Sequence, residues 1–162
     1  RMIANHGQVV RYYHDIIGVN SRLDAIQASI LRINLRHLDN YSESRNKAAA
    51  YYDQAFADTE QLTTPKRASN STHVFHQYTL VANGVDRTGL VEFLAGRGIP
   101  AMIYYPVPSH KQKMFASFNC ENLDLPITDW LTERVLSLPI HTELDEEQLA
   151  FICNSIQEFV EQ

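Results

Sequence analysis

Three short stretches of this 162-residue sequence combine side chains that can do chemistry. The first is Ile17-Gly18-Val19-Asn20-Ser21-Arg22-Leu23-Asp24. It sets an amide and a guanidinium beside a helix start, where free backbone N–H groups and the helix dipole favour an anion. The same residues have a plainer use, with Asn20 and Ser21 capping the helix and Arg22 in solvent. The second stretch, Tyr104-Tyr105-Pro106-Val107-Pro108-Ser109-His110-Lys111-Gln112, places aromatic, imidazole and amine groups after a strand. Such groups can wall a ligand site or simply tip a proline-shaped loop. The third, Leu138-Pro139-Ile140-His141-Thr142-Glu143-Leu144, offers an imidazole and a carboxylate, or else a strand-to-helix turn capped by Thr142 or Asp145.

Other chemistries find no pattern to stand on. Gly96-Arg97-Gly98 lacks the third glycine of a phosphate loop and follows a helix instead of opening one. His73 and His76, or His6 and His14, have no cysteine or acid completing a ligand set, so no metal is expected. No Gly-x-Ser-x-Gly elbow is present. With 14 Lys plus Arg against 19 Asp plus Glu, a net charge of −5 and no basic cluster, the chain is expected to bind neither nucleic acid nor an anionic membrane. No apolar run approaches the roughly 20 residues that span a bilayer. Cys120 and Cys153 cannot build a disulfide scaffold and read as two buried, reduced thiols of a cytoplasmic protein. At 44% hydrophobic and 20% charged residues, the composition is that of a globular chain.

The elements that must position these stretches follow from periodicity. Residues 1–20 are polar and aromatic without a clean period and read as loop or extended chain; Arg1-Met2-Ile3-Ala4-Asn5-His6-Gly7 has the character of a protein's interior sequence. Ser21 and Asp24 suggest a capping box. Apolar residues then recur at helical spacing, with Ile26, Ile30 and Ile33 on one row and Leu31, Leu35 and Leu38 on another. One very long helix or two abutting ones are predicted over 22–58, with a break near 39–42. Strands are predicted at 76–82, 101–104 and 136–138, with an extended connection over 109–127. Helices are predicted after the cap Asp86, over 128–135, and after Asp145 with Gln148 three residues on. The result is a small α/β unit of about three strands covered by two or three helices.

In order along the chain stand Asn5-His6-Gly7, Gly18-Val19-Asn20-Ser21-Arg22-Leu23-Asp24-Ala25-Ile26-Gln27-Ala28, Tyr105-Pro106 with His110, and Leu138-Pro139-Ile140-His141. Together they resemble the C-terminal part of the DegT/DnrJ/StrS sugar-nucleotide aminotransferases, enzymes of fold type I that depend on pyridoxal phosphate. The Asn-x-Arg-Leu-x-x-Ile-Gln-Ala run is the specific motif; the others add order and spacing.

This resemblance implies a C-terminal small domain with a mainly antiparallel sheet packed with helices, preceded by a long linking helix. Residues 1–24 would be the edge of the large cofactor domain, 25–58 the linking helix and 59–162 the small domain. Asn20 matches the asparagine that reaches the cofactor phosphate of the neighbouring subunit in a homodimer. Arg22 matches an arginine at the anionic end of the substrate in members acting on UDP-hexuronates. Tyr104, Tyr105 and His110 match positions lining the sugar site. The intact enzyme would move an amino group, usually from glutamate, onto a nucleotide-linked keto sugar for surface polysaccharide or lipopolysaccharide; the Gly-Val-Asn-Ser-Arg run most resembles the branch acting on UDP-linked 3-keto hexuronates. The departure is equally specific. Family members attach the cofactor through a lysine in a Ser-Phe-x-x-x-Lys stretch upstream of Asn-His-Gly, whereas the lysines here are Lys47, Lys66, Lys111 and Lys113. The chain by itself is therefore expected to be inactive. The alternative reading is a non-catalytic small-domain module for self-association or ligand binding.

Overall fold

The computed structural model describes residues 2–21 and 23–162 and divides into two compact units, Arg1–Asp39 and Asn40–Gln162. In the smaller unit the first twenty residues fold back on themselves through isolated bridges, Asn5 with Asn20 and Gln8 with His14. His6 N–H donates to Val19 O at 2.9 Å, and Val19 N–H to Ile3 O at 2.7 Å. Glycine is required where these strands cross. A Cβ on Gly7 would lie 1.7 Å from Ile16 O, and one on Gly18 would lie 2.1 Å from Gly7 N.

Helix α1, Ala25–Asn34, is capped by Asp24, whose carboxylate accepts the Gln27 N–H at 2.8 Å. Ser21 is not the cap: its own N–H is spent on Ala4 O at 2.9 Å, inside the folded-back segment. No residue of α1 is buried, and the rows Ile26, Ile30, Leu31 and Ile33 are exposed. A 3-10 turn at Leu35–His37 joins α1 to α2, Leu38–Ala55. The break thus falls one turn before the expected 39–42. Asp39 sits in the first turn of α2, where an acid complements the helix dipole, so this cap-forming cluster marks a beginning and not a gap.

In the larger unit, β1 (Leu62–Thr63), β2 (Tyr78–Ala82) and β3 (Val135–Leu138) form an antiparallel sheet in that order. Strand β1 pairs Leu62 with Ala82 and Thr63 with Val81. Register places Tyr78 opposite Leu138 and Leu80 opposite Leu136. Residues 101–104 do not form the expected strand. Only Met102 pairs, exchanging two hydrogen bonds with Ser137 at 3.0 and 2.7 Å, because the prolines at 100, 106 and 108 bound the segment closely. Nor is 109–127 extended: 3-10 turns occupy Ser109–Lys111, Lys113–Phe118 and Cys120–Asn122. These i to i+3 turns carry no hydrophobic period for a sequence to display.

Three further helices are α3 (Arg87–Gly96), α4 (Pro126–Arg134) and α5 (Glu146–Val160). Asp86 caps α3, and Asp145 with Gln148 forms a reciprocal capping box on α5. The core gathers Ala48, Ala49, Tyr52 and Phe56 of α2, Tyr78 and Leu80 of β2, Leu90 and Leu94 of α3, Leu136 and Leu138 of β3, and the Leu149–Ile152–Ile156 stripe of α5. Polar ties fix its geometry. Tyr52 Oη donates to Pro139 O at 2.8 Å, and Tyr78 Oη donates to Asp53 Oδ1 at 2.7 Å. Asp53 Oδ2 in turn accepts from Arg67 Nη2 at 2.7 Å. Arg97 grips Glu158 through both terminal nitrogens at 2.7 and 2.6 Å, tying the end of α3 to α5.

The two thiols differ from the expected buried pair. Cys153 is buried, and desolvation pushes its pKa up to about 12, whereas Cys120 is half-buried. The thiolate is the reactive form, so Cys153 stays protonated and inert at pH 8. Alkylation of the native chain at pH 8 should modify Cys120 alone, and unfolding in guanidinium should release both. Equal native labelling of Cys153 would show that this part of the core is not closed.

Candidate functional site

The strongest candidate site lies at the N-terminal end of β3. There the chain leaving the Met102 bridge turns away at Tyr104, Tyr105 and Pro106 and passes opposite α4. A cleft of about 270 Å³ results. One wall is Tyr104, Tyr105, Val107, Pro108 and Ser109; the other is Thr128, Leu131, Thr132 and Val135. The Tyr104–Tyr105 peptide is cis, and the two rings meet edge to face with centroids 5.7 Å apart. Tyr105 is 69% exposed, so its ring is available to a ligand.

The chemistry of this lining is neutral. It offers aromatic and aliphatic surface together with phenol and alcohol hydroxyls and includes no charged side chain. Such a wall suits a sugar ring, whose C–H face packs on an aromatic while its hydroxyls find donors and acceptors. It can bind and orient.

His110 does not line the cleft. It is buried in the 3-10 turn Ser109–Lys111, and its Nε2 has no hydrogen-bond partner among the described residues. The nearest recorded carboxylate is Asp129 on α4, with Oδ1 at 3.9 Å, too far for a hydrogen bond. The same Oδ1 accepts from Lys111 Nζ at 2.7 Å. Sequence reasoning missed the α4 side of this site. Its signal was the spacing of Thr128, Leu131 and Thr132, which a helix places along one face.

Asn20 belongs to the smaller unit, exposed, with its backbone bridged to Asn5. Arg22 lies outside the described residues. The helix start beside Asn20 already holds an anion, because Asp24 takes the Gln27 N–H. The third motif resolves into the strand-to-helix turn. Pro139 O accepts from Tyr52, Ile140 O accepts from Arg45 at 3.1 Å, and His141 Nδ1 accepts the Glu143 N–H at 3.2 Å. A second cleft of about 300 Å³ lies at this other end of β3, between Pro100, Pro139, Leu144 and Phe151.

For pyridoxal phosphate the fit is partial. Asn20 is exposed, and an amide is a group that can donate to a phosphate oxygen. The four lysines all fall in the larger unit, where Lys47 pairs with Glu43 at 2.8 Å and Lys111 with Asp129. None of the four lies in a Ser-Phe-x-x-x-Lys stretch.

The model of the DegT/DnrJ/EryC1/StrS aminotransferase family matches residues 1–157. A pleiotropic regulatory protein of Geobacillus stearothermophilus is 42% identical over 98% of this chain and 43% of its own length. The UDP-N-acetyl-3-dehydro-alpha-D-glucosamine 3-aminotransferase of Acidithiobacillus ferrooxidans is also 42% identical, over 97% of this chain and 41% of its own. The crystal structure of DesV from S. venezuelae in complex with a ketimine intermediate superposes with a TM-score of 0.91 at 34% identity, covering 100% of this chain and 43% of that one. The chain thus spans about two fifths of the length of these relatives. The small antiparallel sheet with its helices and the long helical lead-in are those of the C-terminal part of these enzymes, and the chain belongs to the DegT/DnrJ/EryC1/StrS aminotransferase family.

Proposed function

We propose that the chain serves as the C-terminal part of a pyridoxal-phosphate-dependent aminotransferase that transfers an amino group, usually from glutamate, to a UDP-linked 3-keto sugar. The observation that carries this reading is the family match across nearly the whole chain. The Acidithiobacillus relative, whose name specifies amination of a UDP-linked 3-dehydro sugar, supports the substrate class. Products of this kind would feed surface polysaccharide or lipopolysaccharide, in the cytoplasm, from a homodimer.

Each residue has a separate task in this reading. Tyr104 and Tyr105 pack against the hexose, and the Thr128 and Thr132 hydroxyls bind its oxygens. Asn20 donates to the cofactor phosphate across a subunit boundary. Arg22 meets an anionic group of the substrate; with a glucuronate that group is the C6 carboxylate. His110, buried and out of the lining, supports the wall instead of touching sugar. The cofactor, when bound, supplies the electron sink that aminotransfer needs. The residues of this chain bind and orient the substrate around it.

Nothing within residues 1–162 separates this reading from that of a non-catalytic module; a cofactor held covalently outside them belongs to the enzyme alone. Borohydride treatment of the 162-residue chain with pyridoxal phosphate should leave no stoichiometric adduct on Lys47, Lys66, Lys111 or Lys113. The same treatment of the enzyme that carries this chain should give one adduct per subunit, outside residues 1–162. One adduct per chain on any of the four, with turnover, would contradict the assignment.

Replacing Asn20 with Ala in that enzyme should loosen the cofactor by about 1–3 kcal/mol, as expected for one lost hydrogen bond to a charged group. Arg22→Ala should raise KM with little change in kcat, since it removes binding remote from the transferring nitrogen. The KM rise should be larger for a UDP-linked 3-keto glucuronate than for the corresponding glucosamine. Wild-type cofactor affinity and KM in both variants would return Asn20 and Arg22 to plain helix-start roles.

A further inference from the structure

Asp129 does not line the tyrosine cleft but links the elements that form its two walls. It is carried on α4 next to Thr128, and its Oδ1 holds Lys111 Nζ at 2.7 Å. Lys111 closes the 3-10 turn Ser109–Lys111, whose first residue is part of the opposite wall. The ion pair therefore ties one wall to the other across 18 residues of chain. His110, from the same turn, presents its buried and unpartnered Nε2 to the same oxygen at 3.9 Å. Buried polar groups are seldom left without a partner, so an imidazole set just beyond hydrogen-bond range of a carboxylate needs explaining. Lys111 and Asp129 are 43% and 35% exposed, which makes the pair a weak contributor to global stability. Its consequence is local: it fixes how far the turn stands from α4.

We infer that Asp129 is a positioning residue that, through Lys111 and with His110 as its second neighbour, sets the width of the sugar cleft. This rests on the reading of the cleft as the hexose site, and it adds a residue that neither the family motif nor the cleft lining assigns. Because Asp129 reaches the ligand only through the wall it holds, its loss affects substrate fit more than the reaction itself.

The test is steady-state kinetics on the enzyme that carries this chain, with the UDP-linked 3-keto sugar as the varied substrate. Asp129→Asn removes the charge and keeps the shape; Lys111→Met removes the surface partner where misfolding is not at issue. Both should raise KM about fivefold, the scale of one such ion pair, while kcat falls less than twofold. Lys111→Arg, which keeps a cation in reach of Asp129, should hold KM within about twofold of wild type. Tyr105→Ala separates the two claims. If it raises KM while Asp129→Asn and Lys111→Met stay at the wild-type value, the clamp is wrong and the cleft stands. If all three stay at the wild-type value, the cleft is not the sugar site and both claims fall. A KM raised equally by Lys111→Arg and Lys111→Met would also overturn the clamp.

Discussion

The larger unit depends on β3 being paired along both edges. On one side Val135–Leu138 exchanges hydrogen bonds with β2; on the other Ser137 exchanges two with Met102. Leu136, Ser137 and Leu138 are buried, so any unpaired backbone group there would carry the full cost of lost hydration. Ser137 spends its hydroxyl on Thr79 at 2.8 Å, which removes the one polar side chain of the strand from the list of unmet needs. With the strand fixed, both of its ends are fixed. Val135 becomes the floor of the tyrosine cleft, and Pro139 accepts from Tyr52, which anchors the turn leading to α5.

The tyrosine cleft is assembled entirely within the larger unit. The cleft is built from a bridge residue, a proline-bounded turn and one face of a short helix, all in the larger unit. Its groups are neutral hydroxyls and apolar surface. The charged pair that bridges its walls is Lys111 with Asp129. A neutral cleft backed by matched charge discriminates by shape and hydrogen bonding.

Much of this was legible in the sequence where local rules decide. Asp86 and Asp145 announce their helices because capping needs only an oxygen and a nearby N–H, and the stripe of α5 appears because burial repeats with the helical turn. The Asn-Ser-Arg motif identified the family although the cap it suggested, Ser21, is displaced by Asp24. What escaped depends on distant partners. Met102 pairs for a single residue because prolines bound its segment, so no alternation was there to read. The 3-10 turns over 109–122 have no period. Asp129 looks like any acid in a first helical turn until the fold brings Lys111 and His110 to it.

The claim on which the account turns is that the cleft at the start of β3 holds the sugar of a nucleotide sugar. The direct measurement is a crystal structure of the enzyme carrying this chain with UDP-N-acetylglucosamine bound. The account predicts the hexose between Tyr105 and Leu131, with its hydroxyls within about 3 Å of Thr128 or Thr132 oxygens. A hexose seated instead in the cleft of Pro100, Pro139 and Phe151 at the other end of the strand, or touching neither, would contradict it.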